Sequence, residues 1–423
     1  MAYVRRVIDT ELDELFPHLA AIAIDGAKGV GKTATSRERA ASVINLDDPA
    51  ERESVLAYAE GFLTRPRPLL IDEWQHVPSV WDTVRRAVDD DNAGGQFLLT
   101  GSATPRAGAT AHSGAGRVVR IRMRPMTLAE RGIGTPSLSL RGFLDSPGEQ
   151  VDGRTEITLR DYVRAMTTSG FPGLQGLPPR VLRAQLDSYL QNIVDRDVID
   201  QGLTVRRPAV MLDWMRAYAA ATSTTAAYTQ ILNAATAGID AKPSRKTTTA
   251  YRDMLAQLWI LDPVPAWTPF ATPLDRLAQS SKHHLADPAL AIRLLGLSEE
   301  ALLDGKGTPV GPQEGTMLGH LFESLVTLCV RVYAQAAEAH VGHLRTRNGD
   351  HEVDLIVTRP DGGFVALEVK LAETPNDRDV RHLHWLREHA GDRMLDAVVI
   401  TTGRNAYRRR DGIAVVPLAL LGP

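Results

Sequence analysis

Residues 20–33 read AAIAIDGAKGVGKT. The first six are a short apolar run, expected to form a strand that ends in a glycine-rich turn. The last eight, Gly26 to Thr33, fit the G-x-x-x-x-G-K-[ST] pattern, and a helix is expected from Lys32 to about Ala41. This strand, turn and helix are the setting in which the pattern cradles phosphate. Backbone N–H groups of Gly26, Ala27, Lys28, Gly29, Val30 and Gly31 converge on phosphate oxygens, and the helix N-terminus adds positive potential. Lys32 then reaches the β- and γ-phosphates, and Thr33 ligates Mg²⁺. The flanks argue against an incidental lysine in a plain turn.

Working outward, PLLIDE (68–73) is an apolar strand ending in two acids, where open α/β sheets place their ligands. Asp72 is expected to hold Mg²⁺ through water and Glu73 to polarise the attacking water as general base. The doublet favours nucleotide hydrolysis over small-molecule kinase chemistry, which needs no water-activating Glu. QFLLTGS (96–102) supplies another buried strand. Thr100 or Ser102 at its end is a candidate γ-phosphate sensor, with an ordinary strand-end turn an equal alternative. Arg117, after the loop HSGAG, is a candidate arginine finger, a surface arginine being as good a reading. SVINLDD (42–48) and RVVRIRM (117–123) read as further strands and WDTVRRAVDD (81–90) as a helix. Such alternation argues for a parallel sheet covered by helices.

The chain has 423 residues, 43% of them hydrophobic and 23% charged, with a net charge of −3. That length predicts two to four domains, and the composition excludes global disorder and a strongly basic protein. A local basic face for DNA stays open. No long uncharged apolar stretch marks a membrane span. The N-terminus lacks the apolar core of a signal peptide. A single cysteine, Cys329, fits a reducing compartment, so the expected location is the cytoplasm. Of 48 cationic residues only seven are lysine. Positions that keep lysine in an arginine-rich chain draw notice, Lys32 and Lys370 first among them.

Beyond the first 150 residues the pattern changes twice. Residues 151–275 read as helical, with helices at 180–199, 208–221, 226–236 and 245–258, then a hairpin in LWILDPVPAW (258–267); Thr225 and Ser244 are expected N-caps. Three helices and a hairpin suggest a winged helix. Lys242, Arg245, Lys246 and Arg252 around its third helix fit either a DNA reader or a surface facing the first domain. Residues 276–423 return to α/β, with a helix at 317–337, strands near 341–346, 352–358 and 364–370, a helix at 377–390 and strands at 396–402 and 413–417. In EVDLIVTRPDGGFVALEVK, strand period puts Glu368 and Lys370 on one face, and the hairpin brings Asp354 beside Glu368. With Glu323 as a third acid, this resembles the D…(D/E)-x-K signature of metal-dependent nucleases. A structural ion pair at Lys370 is the competing reading. His382 and His384 are read as surface residues.

GAKGVGKT, LLIDEWQHVP and LLTGS, with RPMTLAE (124–130), GFP (170–172), YLQNIVDRD (189–197) and EVDLIV…LEVK, resemble a prokaryotic AAA-type ATPase domain joined to a C-terminal domain of unknown function, DUF4143. The resemblance covers nearly the whole chain. It implies ATP with Mg²⁺, an AAA-like P-loop core, a winged-helix middle and a restriction-endonuclease-like C-terminal α/β fold. Ala34 stands where similar chains often carry a second Thr. The leading expectation is an ATPase that passes its nucleotide state to the C-terminal half. An ATP-gated nucleic-acid enzyme acting through Asp354, Glu368 and Lys370, and a non-enzymatic ATP switch for a protein partner, are the alternatives.

Overall fold

The computed structural model describes residues 3–58, 60–102, 115–203, 205, 207–236, 244–267, 280–307, 316–346 and 349–423. Lys242 and most of the loop before Arg117 lie outside them. The N-terminal sheet is built from β1 (Ala21–Asp25), β2 (Ser42–Asn45), β3 (Leu69–Asp72), β4 (Phe97–Gly101) and β5 (Val118–Arg122). Their order is β2-β3-β4-β1-β5, and every neighbouring pair is parallel. β1, β3 and β4 are buried along their whole length, which is why each reads as a continuous apolar run. Period-2 alternation still sorts their side chains. Ala21, Ala23, Leu69, Ile71, Phe97 and Leu99 pack with Val80, Trp81, Val84 and Val88 of a helix at Ser79–Asp90. Ile22, Ile24, Leu70 and Leu98 face the other way, into a core shared with the rest of the chain. The register brings Asp25, Asn45, Asp72, Thr100 and Arg122 to one edge, where the strands end.

The helices are numbered in chain order. Those at Val7–Leu15, Lys32–Arg37, Pro49–Ala57 and Ser79–Asp90 are α1 to α4, and Leu140–Asp145, Leu159–Thr167 and Pro179–Asn192 are α5 to α7. α7 continues through a π-helical stretch, Ile193–Asp197, into a last turn at Val198–Asp200. α8 (Pro208–Ala220), α9 (Tyr228–Ala235) and α10 (Arg245–Gln257) follow. Isolated antiparallel bridges then join Leu261 to Leu285 and Val264 to Lys282. Ser244 caps α10 as expected, accepting from the Thr247 N–H. Thr225 does not cap α9. That N-cap is Ala227, and the Thr225 hydroxyl instead accepts from Arg345 at 2.9 Å.

After α11 (Pro288–Leu294) and α12 (Glu299–Leu303), the long α13 (Met317–Ala336) leads into β8 (His340–Arg345), β9 (Glu352–Thr358) and β10 (Phe364–Lys370). Next come α14 (Asp377–Ala390), β11 (Met394–Thr401), β12 (Asn405–Arg408) and β13 (Ala414–Pro417). β8, β9 and β10 pair antiparallel, whereas β10, β11 and β13 run parallel, so the sheet is mixed. α13 buries one face, against Leu355, Val365, Leu367, Val398 and Ile400. α14 covers the other through Val380, Leu383 and Leu386, against Ile356, Phe364, Ala366 and Val399. Among the described residues α13 is the one helix long and apolar enough to cross a membrane, and most of it is buried in this core.

The Gly/Pro/Ser-rich stretch that leads out of the N-terminal sheet, residues 132–154, is structured. Within it, β6 (Leu138–Ser139) pairs with β14 (Leu421–Gly422), and β7 (Gly153–Arg154) pairs with β12. The chain therefore meets the C-terminal end at Leu138–Ser139, in a separate two-stranded sheet, and joins the edge of the seven-stranded C-terminal sheet at Gly153–Arg154.

Candidate functional site

The loop Gly26–Gly31 sits at the edge where the parallel strands end, between β1 and α2. Its path needs glycine at two places for different reasons. Gly31 has φ +106°, a left-handed value that other residues rarely adopt. At Gly26 a Cβ would lie 2.2 Å from the Met123 carbonyl oxygen, so only a bare Cα fits beside the end of β5. The loop is also braced from outside. Arg6 donates to the Val30 carbonyl at 2.8 Å and forms a buried ion pair with Glu130 at 3.0 Å. Tyr189 on α7 donates to the Lys28 carbonyl at 3.0 Å, and the Lys28 ammonium lies 3.6 Å from Asp197.

Four of the expected site residues converge here. Lys32 is buried, its ammonium donating to the carbonyls of Gly26 and Ala27 at 2.8 and 3.0 Å. Burial pushes its pKa down to about 8, against the pull of Glu73, Asp72 and Asp25. Thr33 Oγ1 donates to Asp72 Oδ1 at 2.9 Å, which ties the start of α2 to the end of β3. Glu73 takes a left-handed backbone (φ 54°) that turns the chain sharply off β3. Its carboxylate accepts from Ser102 at 2.9 Å and from Gln75. In front of it lies a recess whose walls include Lys28, Ser102, Tyr189, Asp197, Leu258 and Ile260.

Two expected residues fall elsewhere. Thr100 is fully buried and donates its hydroxyl to Asp72. It orients that acid rather than facing a ligand, and Ser102, two residues on, is the one beside Glu73. Arg117 precedes β5, and β5 runs parallel to β1. It therefore sits at the far end of the sheet from the loop, where it pairs with Asp89 at 2.8 Å. An arginine finger acting on its own chain's site is ruled out by that direction.

A second cluster forms in the C-terminal domain. Glu323, Asp354, Glu368 and Lys370, the residues singled out in the sequence, line one cavity of about 600 Å³. The sequence reading missed the residue at their centre. Lys282, fully buried, donates to Glu323 at 2.8 Å and Asp354 at 3.0 Å, and pairs with Glu352 at 3.2 Å. Lys370 pairs with Glu368 at 2.8 Å. Burial opposes charge on Lys282, but the three carboxylates carry its pKa well above the usual value. Burial, and then Asp354, raise Glu323 to about 8 and Glu368 well above the carboxylate range. Asp354 resists the same burial because Lys282 and Lys370 hold it low. Among the described residues no group of three His, Cys, Asp or Glu side chains is placed to hold a metal ion; the acids expected as a metal site, Glu323, Asp354 and Glu368, meet lysine ammonium groups instead. His382 also lines this cavity, half-buried, so it is not the surface residue expected.

An AAA domain matches residues 19–131, which hold the loop, Asp72 and Glu73, and DUF4143 matches residues 318–421. The chain carries an AAA domain joined to a DUF4143 domain. Between them, residues 159–301 match a further domain of unknown function, DUF8612, which the sequence reading did not anticipate. Two uncharacterized proteins, from Mycobacterium tuberculosis and Mycobacterium bovis, are each 25% identical over 394 residues, 89% of this chain and 76% of theirs. Among solved structures, the Aeropyrum pernix ORC2 protein in ADPNP–ADP complexes is 12% identical with a TM-score of 0.28, covering 70% of this chain and 91% of its own. The AAA domain supports nucleotide binding at the loop described above.

Proposed function

We propose that the chain binds Mg-ATP on Gly26–Thr33, hydrolyses it with Glu73 as general base, and passes the change to its C-terminal half. The observation that carries this reading is the convergence of Lys32, Thr33, Asp72 and Glu73 at the edge where the parallel strands end. The donor set suits Mg²⁺: Thr33 Oγ1 and Asp72 Oδ1, 2.9 Å apart, would hold the ion, which would supply positive charge against the phosphates. Lys32 leaves the Gly26 and Ala27 carbonyls for those oxygens. Glu73, turned off β3 into the recess, accepts a proton from the water that attacks the γ-phosphorus, and ADP departs.

The three helices α8 to α10 and the bridges after them support a winged-helix arrangement for the middle region. Its role at the ATPase is favoured over DNA reading, because Leu258 and Ile260 wall the recess at Glu73. Arg252, one of the expected DNA-contacting cations, instead pairs with Asp253 and lies over the Tyr228 ring.

Lys32→Ala tests the assignment. A charge-assisted hydrogen bond is worth about 1.5–3 kcal/mol, so labelled ATP should bind roughly tenfold to a hundredfold more weakly. Equal binding by the variant removes the loop from the nucleotide site.

A further inference from the structure

A restriction-endonuclease-like fold implies a divalent cation between its acids, and this chain's residues do not fit one. We infer that the ammonium of Lys282 stands in that place, so that the C-terminal cleft takes no metal and is organised by a built-in cation.

Three observations carry this. First, the carboxylates of Glu323 on α13 and of Glu352 and Asp354 on β9 all point at one nitrogen, between 2.8 and 3.2 Å away. An ammonium has three N–H donors, and three carboxylates meet it. A Mg²⁺ or Ca²⁺ ion needs six or more oxygens at about 2.0–2.6 Å, in the volume Lys282 Nζ fills. Second, the lysine is anchored. Its backbone N–H and carbonyl both bond to Val264 at 2.9 Å, and its side chain is fully buried. Expelling the ammonium means breaking that bridge or leaving its charge unpaired in the core. Third, the fourth acid already has its own cation, with Glu368 Oε2 2.8 Å from Lys370.

The cleft is not thereby inert. Two buried polar atoms on its wall, Glu368 Oε1 and His320 Nε2, have no hydrogen-bond partner. Buried polar groups are ordinarily paired, so these are the atoms left to meet a ligand. Such a ligand is held without a metal bridge, unlike a phosphodiester poised for metal-assisted cleavage.

The test uses the nucleotide-free full chain, with Mn²⁺ as probe. Mn²⁺ binding is read by electron paramagnetic resonance, and Tm is followed with Mn²⁺ and with chelator. The wild type should bind no Mn²⁺ at the C-terminal acids, and its Tm should be the same with chelator as with millimolar Mn²⁺. Lys282→Ala leaves three facing carboxylates, so its Tm should fall, and Mn²⁺ should recover most of the loss by filling one new site. Asp354→Asn in the same variant should abolish that site. Wild-type Mn²⁺ binding that disappears on Asp354→Asn alone would overturn the inference. So would a Lys282→Ala protein as stable as wild type that binds no Mn²⁺. Should Lys282→Ala fail to fold, the wild-type and Asp354→Asn measurements decide by themselves.

Discussion

Glu73→Gln should leave ATP binding intact and slow turnover by about 10²–10⁴-fold, the usual contribution of a general base. The amide keeps the size of the side chain and an oxygen to accept from Ser102, which donates to Glu73 at 2.9 Å. What it loses is the basic carboxylate that takes the proton from water. Lys32, Thr33 and Asp72, the residues proposed to hold phosphate and cation, are untouched by the change. Binding and chemistry should therefore separate, with labelled ATP retained by the variant and phosphate release nearly abolished. Unchanged turnover would move the base to another residue of the recess, Asp197 being one acid there. Negligible turnover in the wild type as well would favour a switch driven by nucleotide occupancy.

The nucleotide site was legible because its chemistry lies in short contiguous motifs at the ends of apolar strands. Lys32 and Thr33 open a helix, and Asp72 and Glu73 close a strand, so local patterning places them. The direction of β5 was also readable. Residues that bind at the edge where parallel strands end must follow their strands, and Arg117 comes before its strand. The parity of β4 fared less well. Period 2 puts Thr100 and Ser102 on the same side, and only packing showed that the first is sealed beneath Asp72 and the second open.

Contacts far apart in sequence left weaker traces. Lys282 lies 41 residues from Glu323 and 72 from Asp354, in SSKHHLADP, a stretch with neither clear periodicity nor a motif. One signal was present and unused, since Lys282 is among only seven lysines in the chain. The compact ammonium preferred at Lys32 and Lys370 is preferred there too. The two-residue strands β6 and β7 were hidden in a Gly/Pro/Ser-rich stretch, because they exist only through pairing with residues more than two hundred positions away. Arg6 and Glu130 are likewise joined only in the fold.

Asp262→Asn should cost the fold about 3–5 kcal/mol, the loss typical when one partner of a buried ion pair is removed. Asp262 lies between the two bridges that follow α10 and collects three guanidinium groups. Arg122 at the end of β5 is 3.1 Å away, Arg124 just beyond it 2.8 Å, and Arg331 on α13 2.7 Å. Burial pushes Arg122 down to about 9 and Arg331 to about 10, with Asp262 pulling each back. Burial would raise the Asp262 carboxyl, but the three arginines hold it far below the usual range. The sign of the pH dependence follows. An unfolded Asp takes up its proton near pH 4, while the folded one stays ionised well below that. The unfolded state therefore binds more protons as pH falls, and the stability Asp262 contributes is lost on that side. Denaturation of both proteins should show a gap that is constant at neutral pH and narrows below about pH 4. A gap under about 1 kcal/mol at neutral pH would mean the cluster behaves as an exposed pair. The carboxylate belongs to the middle region, and its partners to the AAA sheet and the long helix of the DUF4143 domain. The same short segment carries Ile260, on the wall of the Glu73 recess, and Val264, which bridges to Lys282 in the C-terminal cleft. Residues 260–264 thus run from the wall of the Glu73 recess to the backbone hydrogen bonds between Val264 and Lys282, and Asp262 is the charge that anchors this segment.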